Sequence, residues 1–242
     1  MDTEGIKRVN SFRFDIISLY PNAFETLKNL GVVGRALNSG IAELNIHNPR
    51  DFTFDKYKKV DDLPYGGGAG MVLKPEPYFA AYESIPQKKN VGVLLLTPQG
   101  KPIKQNDLRR WAKNIDQLIL LCGQYEGFDE RIRSIAQEEV SIGDFVLTGG
   151  EIPAMLILNG VIRLLPGTLG APESLKDESH DEFLLEHPQY TRPNVFRGMQ
   201  VPDVLRKGNH KEIDTWRYLK KIERTKFRRP DLYEKWLEKN NM

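Results

Sequence analysis

Four glycine-rich turns follow strand-like runs in this chain of 242 residues: Tyr65-Gly-Gly-Gly-Ala-Gly70, Thr97-Pro-Gln-Gly100, Gly123-Gln-Tyr-Glu-Gly127 and Ser141-Ile-Gly-Asp-Phe-Val-Leu-Thr-Gly-Gly150. A residue without a Cβ lets a ligand touch the backbone, and loops leaving the carboxyl ends of parallel strands converge on one sheet edge. Three such loops between 97 and 150 suggest a cofactor cradle, with ordinary tight turns as the alternative. Gly66 to Gly70 lacks the Gly-Lys-Ser/Thr ending of a phosphate-binding loop, and no Gly-x-Gly-x-x-Gly opens a helix after a strand. A nucleotide held through its pyrophosphate is therefore disfavoured. Arg163 ends an otherwise apolar helical stretch, where it can meet the exposed carbonyls of the last turn or face an anionic or carbonyl-bearing substrate. The acids Glu173, Asp177, Glu178, Asp181 and Glu182 are either solvated linker charge or the source of a general base brought in by a loop. Cys122 ends an apolar run and reads as an inert core thiol, and the four histidines show no metal spacing, so no metal ligands are expected.

The elements that must position these groups alternate along the chain. Phe12 to Leu19, Ile41 to His47, Val91 to Thr97 and Gln117 to Gly123 are short apolar runs bounded by Pro, Gly or Asn, which predicts strands. Helical patterns lie between and after them, over Ala23 to Asn38 behind an Asn22/Glu25 capping box, over Gln105 to Lys113 and over Asp129 to Gln137. VGVLLLT and LILLCG lack period-two alternation, as expected of strands buried on both faces of a parallel sheet. An α/β fold follows, an open and mostly parallel sheet with helices on both faces. The pattern stops near Leu165. Residues 1–165 are read as the α/β domain, 166–188 as an interdomain linker carrying the candidate base, and 189–242 as a small helical domain with helices expected over Val201 to Lys207, Lys211 to Arg228 and Leu232 to Lys239.

Charge divides along the same boundary. The net charge is +2, which excludes a uniformly basic nucleic-acid binder. Residues 1–189 nevertheless carry 26 acids and 21 bases, while residues 190–242 carry 14 bases and 7 acids. A basic helical module with Trp216, Tyr218, Tyr233 and Trp236 could bind a polyanion, its cations on phosphates and its aromatics on exposed bases. Alternatively, those aromatics form the module's own core. One cysteine, no glycosylation sequon and no apolar leader run predict a cytoplasmic protein, and no stretch reaches the ~20 apolar residues of a membrane span.

The strings FDIISLYPNAF, YGGGAGMVLKPEP, LTPQGKP, LLCGQYEGFDERI, SIGDFVLTGGEIPAM and LLEHPQYTRP together resemble the TrmD family, the bacterial tRNA (guanine-N1)-methyltransferases of the SPOUT class. The matching segments run from Phe14 to Pro193, about three quarters of the chain. The resemblance implies a sheet whose chain is threaded into a deep trefoil knot, an exception to the rule against knots. It implies a homodimer that binds S-adenosylmethionine and tRNA and forms 1-methylguanine at tRNA position 37, next to the anticodon. Cofactor contacts would fall on Thr97, Pro98, Gln99, Gly123, Tyr125, Glu126, Gly127, Ile142, Gly143, Asp144, Phe145, Val146, Leu147, Gly149, Gly150 and Pro153. Arg163 would stabilise charge on guanine O6, and Glu126 would position the guanine or an associated magnesium ion. The base would be the acid before a Ser-Phe pair. Here the sequence reads Asp177-Glu178-Ser179-His180, so Glu178 takes that place, with Asp177 after a one-residue slip, or His180, as alternatives. Action on another tRNA or rRNA position, or RNA binding without catalysis, are the rival readings.

Overall fold

Six residues from Phe12 to Ile17 form β1, and Gln117–Cys122 form β6, the strand buried at every residue. In this computed structural model, residues 11–169, 179 and 183–240 are described. β1 and β6 are central in a five-stranded sheet with β2 (Ala42–His47), β5 (Val91–Pro102) and β7 (Glu138–Ser141), in the order β2-β1-β6-β5-β7. Every pairing in it is parallel. The apolar runs lack alternation because both faces are covered. On one face Phe14, Ile16, Leu94 and Leu120 pack with α1 (Gly31–Asn38), Trp111 of α3 (Gln105–Asn114) and the inner side of α4 (Glu151–Ile162). On the other, Ile17, Leu95, Ile119 and Leu121 pack with Tyr78 and Ala81 of α2 (Pro75–Glu83) and with Ile132. Between β2 and α2, β3 (Asp61–Asp62) and β4 (Val72–Leu73) form a short antiparallel pair.

The helix predicted over Ala23 to Asn38 is two pieces. A 3-10 helix, Pro21–Asn29, starts two residues earlier than expected, with Pro21 in its first turn and no side-chain cap from Asn22. Leu30 then leaves helical geometry, and Gly31, the first residue of α1, takes a φ of +44°. Asp129 to Gln137 is likewise a 3-10 helix, Glu130–Ile135, capped by the Asp129 side chain. α2 and β7 were not foreseen. Pro75 and Pro77 hide α2, although both lie in its first turn where a missing N–H costs nothing. The Glu-Glu-Val-Ser run of β7 has too few apolar residues to read as a strand.

The chain divides into two compact units, 1–170 and 171–242. In the second, β8 (Val195–Phe196) and β9 (Met199–Gln200) make a short hairpin, and α5 (His210–Arg228) and α6 (Pro230–Lys239) follow. Val201 to Lys207 holds only a 3-10 turn, Asp203–Leu205. Trp236 is buried and stacks on Tyr233 at 5.7 Å between ring centroids, and Trp216 packs against His187 and Tyr190. Those aromatics form the unit's own core, and of the four only Tyr218 is exposed. Among the described residues no helix is long and apolar enough to cross a membrane.

Candidate active site

The site grows from the ends of three adjacent parallel strands. β5 pairs with β7 up to Leu96, then both Leu96 and Lys101 face Val140, so Thr97, Pro98, Gln99 and Gly100 bulge out of the ladder. The bulge folds tightly because Gly100 has no side chain: a Cβ there would lie 2.5 Å from the Val140 backbone nitrogen. The loop after β6 turns at Tyr125, whose φ of 58° is in the left-handed region. Glu126 N–H donates to the Met71 carbonyl at 3.1 Å, and Leu73 N–H donates to the Gly127 carbonyl at 2.9 Å. The loop after β7 is drawn in by Ser141, whose Oγ accepts from Gly143 N–H at 3.1 Å, and by Gly150, whose N–H donates to the Gly123 carbonyl at 2.9 Å.

A carboxylate locks the last two loops together. Glu151, first residue of α4 and nearly buried, accepts from Ser18 Oγ at the end of β1 and from Gln124 Nε2, both at 2.6 Å. A negative charge in the first turn of a helix is also favoured by the helix dipole. Arg133 braces the outer wall: it donates to Gln99 Oε1 at 2.7 Å and to Glu130 at 2.8 Å, and it pairs with Glu139. Hydrogen bonding to Glu139 raises its already high pKa against the cost of burial, so the brace stays charged. Behind the site, burial pushes the Cys122 thiol and the Tyr78 phenol well up, and Tyr78 donates to the Cys122 carbonyl at 2.8 Å. Cys122 is therefore a core thiol without thiolate character.

These loops enclose a cavity of about 370 Å³, of the size that accepts a small organic ligand. Of the residues expected to contact a cofactor, Thr97, Pro98, Gln99, Gly123, Tyr125, Glu126, Gly127, Ile142, Phe145, Val146, Leu147, Gly149, Gly150 and Pro153 line it. Gly143 and Asp144 stand outside the lining, because the Ser141 turn directs the chain away before Phe145 returns. Leu96, Gln124, Phe128, Glu130, Arg133, Val140, Ser141 and Thr148 also line the cavity, and sequence reasoning did not single them out. Gln124 and Ser141 lie inside the glycine-rich strings and could have been taken from them; Arg133 carried no signal, its partners Gln99 and Glu139 lying on the β5 bulge and on β7. Arg163 is not brought to the cavity. It caps the far end of α4, ten residues beyond Pro153, about 15 Å along the helix axis. Glu178, Asp177 and His180 lie outside the described residues. The walls combine backbone groups and apolar side chains with the charged residues Glu126, Glu130 and Arg133.

The chain matches the family model described as tRNA (Guanine-1)-methyltransferase TrmD over residues 12–235. It is 64% identical to the tRNA (guanine-N(1)-)-methyltransferase of Synechococcus sp. (strain RCC307), covering 94% of this chain and 96% of that protein. It is 59% identical to the protein of that name from Prochlorococcus marinus (strain MIT 9312), over 93% of this chain and 91% of the relative. The corresponding protein of Trichodesmium erythraeum (strain IMS101) is also 59% identical, over 91% of this chain and 97% of its own length. With its three strand-end loops closed round one cavity and its sequence matched nearly from end to end, this chain belongs to the tRNA (guanine-1)-methyltransferase TrmD family.

Proposed function

We propose that this protein methylates N1 of guanine at position 37 of tRNA with S-adenosylmethionine as donor, working in the cytoplasm as a homodimer. The observation that carries the reading is the convergence of the loops 97–100, 123–127 and 145–150 on one cavity without any pyrophosphate-binding device. S-adenosylmethionine, when bound, supplies a methyl group already activated by its sulfonium. The protein has to hold guanine N1 in line and remove its proton. Glu178 is the base in this reading: its carboxylate takes the N1 proton, while Arg163 offsets the negative charge that spreads to O6. Glu126, which lines the cavity, orients the guanine or an associated magnesium ion in this reading.

The homodimer reading draws support from α4. Ile152 is 63% exposed and Leu156 45%, and Phe145 and Val146 beside the cavity mouth are exposed as well, an apolar patch suited to burial against a second copy. A dimer also gives Arg163 a role that its distance from the cavity in its own chain denies it, since it can serve the pocket of the partner. The trefoil knot is part of the same reading. The close backbone crossings at Gly100 and Gly150 are what a tightly threaded path would need.

The test is incubation of an unmodified tRNA transcript bearing guanine at position 37 with the protein and S-adenosylmethionine, followed by mass mapping of the modified base. Appearance of 1-methylguanine at that position is expected; a product elsewhere, or none, overturns the reading. Under single-turnover conditions with saturating cofactor, Glu178→Gln is expected to lose orders of magnitude in rate and Asp177→Asn only a little. The reverse ranking removes Glu178 from the role of base.

A further inference from the structure

In the second unit, two neighbouring side chains of α5 hold the backbone of the strap Leu184–His187, one at the Leu185 N–H and one at the Glu186 carbonyl. Thr225 is fully buried, and its Oγ1 accepts from Leu185 N–H at 2.8 Å while donating to the Lys221 carbonyl at 2.7 Å. Arg224 Nη1 donates to the Glu186 carbonyl at 3.2 Å. Glu186 N–H then donates to Ser179 Oγ at 3.1 Å. Leu184 and His187 on either side are buried, so the strap is fixed on α5 by packing as well as by hydrogen bonds.

The chemistry of Thr225 is unusual for a helix interior. A β-branched residue is a mediocre helix former, and a hydroxyl bonded only to the carbonyl one turn back needs nothing more. This one accepts a second bond from a chain segment 40 residues away. Just before the strap, Phe183 takes a φ of 67°, a conformation that disfavours side chains with a Cβ by roughly 1–2 kcal/mol. Ser179 directly follows Glu178.

We propose that Thr225 and Arg224 are positioning residues for methyl transfer. Through Leu185, Glu186 and the Ser179 hydroxyl they couple the basic helix α5 to the chain next to the base. The proposal rests on the reading above in which Glu178 is that base. A purely structural role in the small unit would instead weaken tRNA binding or folding and leave the chemical step of bound substrate untouched.

The experiment uses the full-length protein and separates these roles by a rate-against-affinity split. Thr225→Val keeps the shape and removes the hydroxyl, leaving Leu185 N–H unpaired; Thr225→Ser keeps the hydroxyl. The single-turnover rate at saturating tRNA transcript and S-adenosylmethionine is expected to fall about tenfold for Thr225→Val, with both dissociation constants within about twofold of the parent. Thr225→Ser is expected to retain the parental rate. Ser179→Ala, at the other end of the relay and outside the helix core, is expected to lower the rate in the same way, and it decides the matter if Thr225→Val does not fold. An unchanged rate in Thr225→Val or Ser179→Ala overturns the proposal, as does a rate loss matched by an equal loss of tRNA affinity or not restored by serine. If the parent protein makes no 1-methylguanine, the functional reading itself has failed; an active parent with unaffected variants fails only the relay.

Discussion

Gly150 has no room for a methyl group: a Cβ would lie 2.7 Å from Cys122 Cα and 2.9 Å from Gly123 N, both backbone atoms that cannot swing aside. The same residue donates its N–H to Gly123, so the loops after β6 and β7 meet at this point and the cavity takes its shape from their contact. Gly150→Ala is expected to destabilise the protein by about 1–3 kcal/mol, the usual cost of overpacking, and to weaken S-adenosylmethionine binding. Thermal unfolding and calorimetric titration read the two effects, and unchanged values in both would show that the crossing is not tight. Glycines of this kind are legible in a sequence because the residue type itself signals close approach. Glu151 is the opposite case. Its partners Ser18 and Gln124 are ordinary polar residues, one of them 133 positions away, and no local pattern connects them.

Among the elements, the central strands could be read directly, since a short apolar run without alternation, bounded by Pro, Gly or Asn, marks a strand buried on both faces. What the run could not reveal is Asp15, a buried carboxylate in the middle of β1. Its Oδ1 meets His47 Nε2 of β2 at 2.8 Å, its Oδ2 accepts from Gln117 Nε2 of β6 at 2.7 Å, and Arg13 closes the cluster. The acid thus ties three adjacent strands together. Burial acts to raise its pKa, but hydrogen bonds from His47, Gln117 and Arg13 outweigh that and hold it below the ordinary 3.8. A carboxylate with a lowered folded-state pKa stabilises the protein above its unfolded pKa, and the contribution is lost as pH falls through the folded value. Asp15→Asn is therefore expected to cost about 1–3 kcal/mol at pH 7, with the two proteins converging in stability as pH drops below 3.8. Denaturant titrations across pH check this, and a difference independent of pH would mean the charge contributes nothing. Beyond Thr97, where the predicted strand stops, the bulge residues Pro98 to Gly100 escaped a strand prediction for a related reason. Its register shift depends on Val140, which belongs to β7, a strand with too little apolar character to be seen.

For the whole molecule, a net charge of +2 conceals a division of labour, because the excess of bases after residue 190 faces an excess of acids before it. In the second unit many cations are spent on neighbours: Arg206 on Asp203, Arg217 on Asp214, Lys220 on Glu223 and Arg229 on Asp231. Arg192, Lys207, Lys211 and Arg228 are exposed and have no carboxylate partner among the described residues. With Trp236, Tyr233 and Trp216 committed to packing, a reading in which this unit binds the tRNA must rest on these exposed charges rather than on a row of stacking aromatics. Binding of that kind releases counterions, so the logarithm of affinity falls linearly with the logarithm of salt, by about 0.7–0.9 per phosphate contact. Changing the four residues together to glutamine is expected to weaken tRNA binding at moderate salt and to flatten the salt slope by about 3, while S-adenosylmethionine binding in the first unit stays unchanged. Filter binding over a range of salt concentrations measures the slope directly. A parental slope in the fourfold variant would place the phosphate contacts on the first unit, and the charge division would then have to serve solubility or assembly instead.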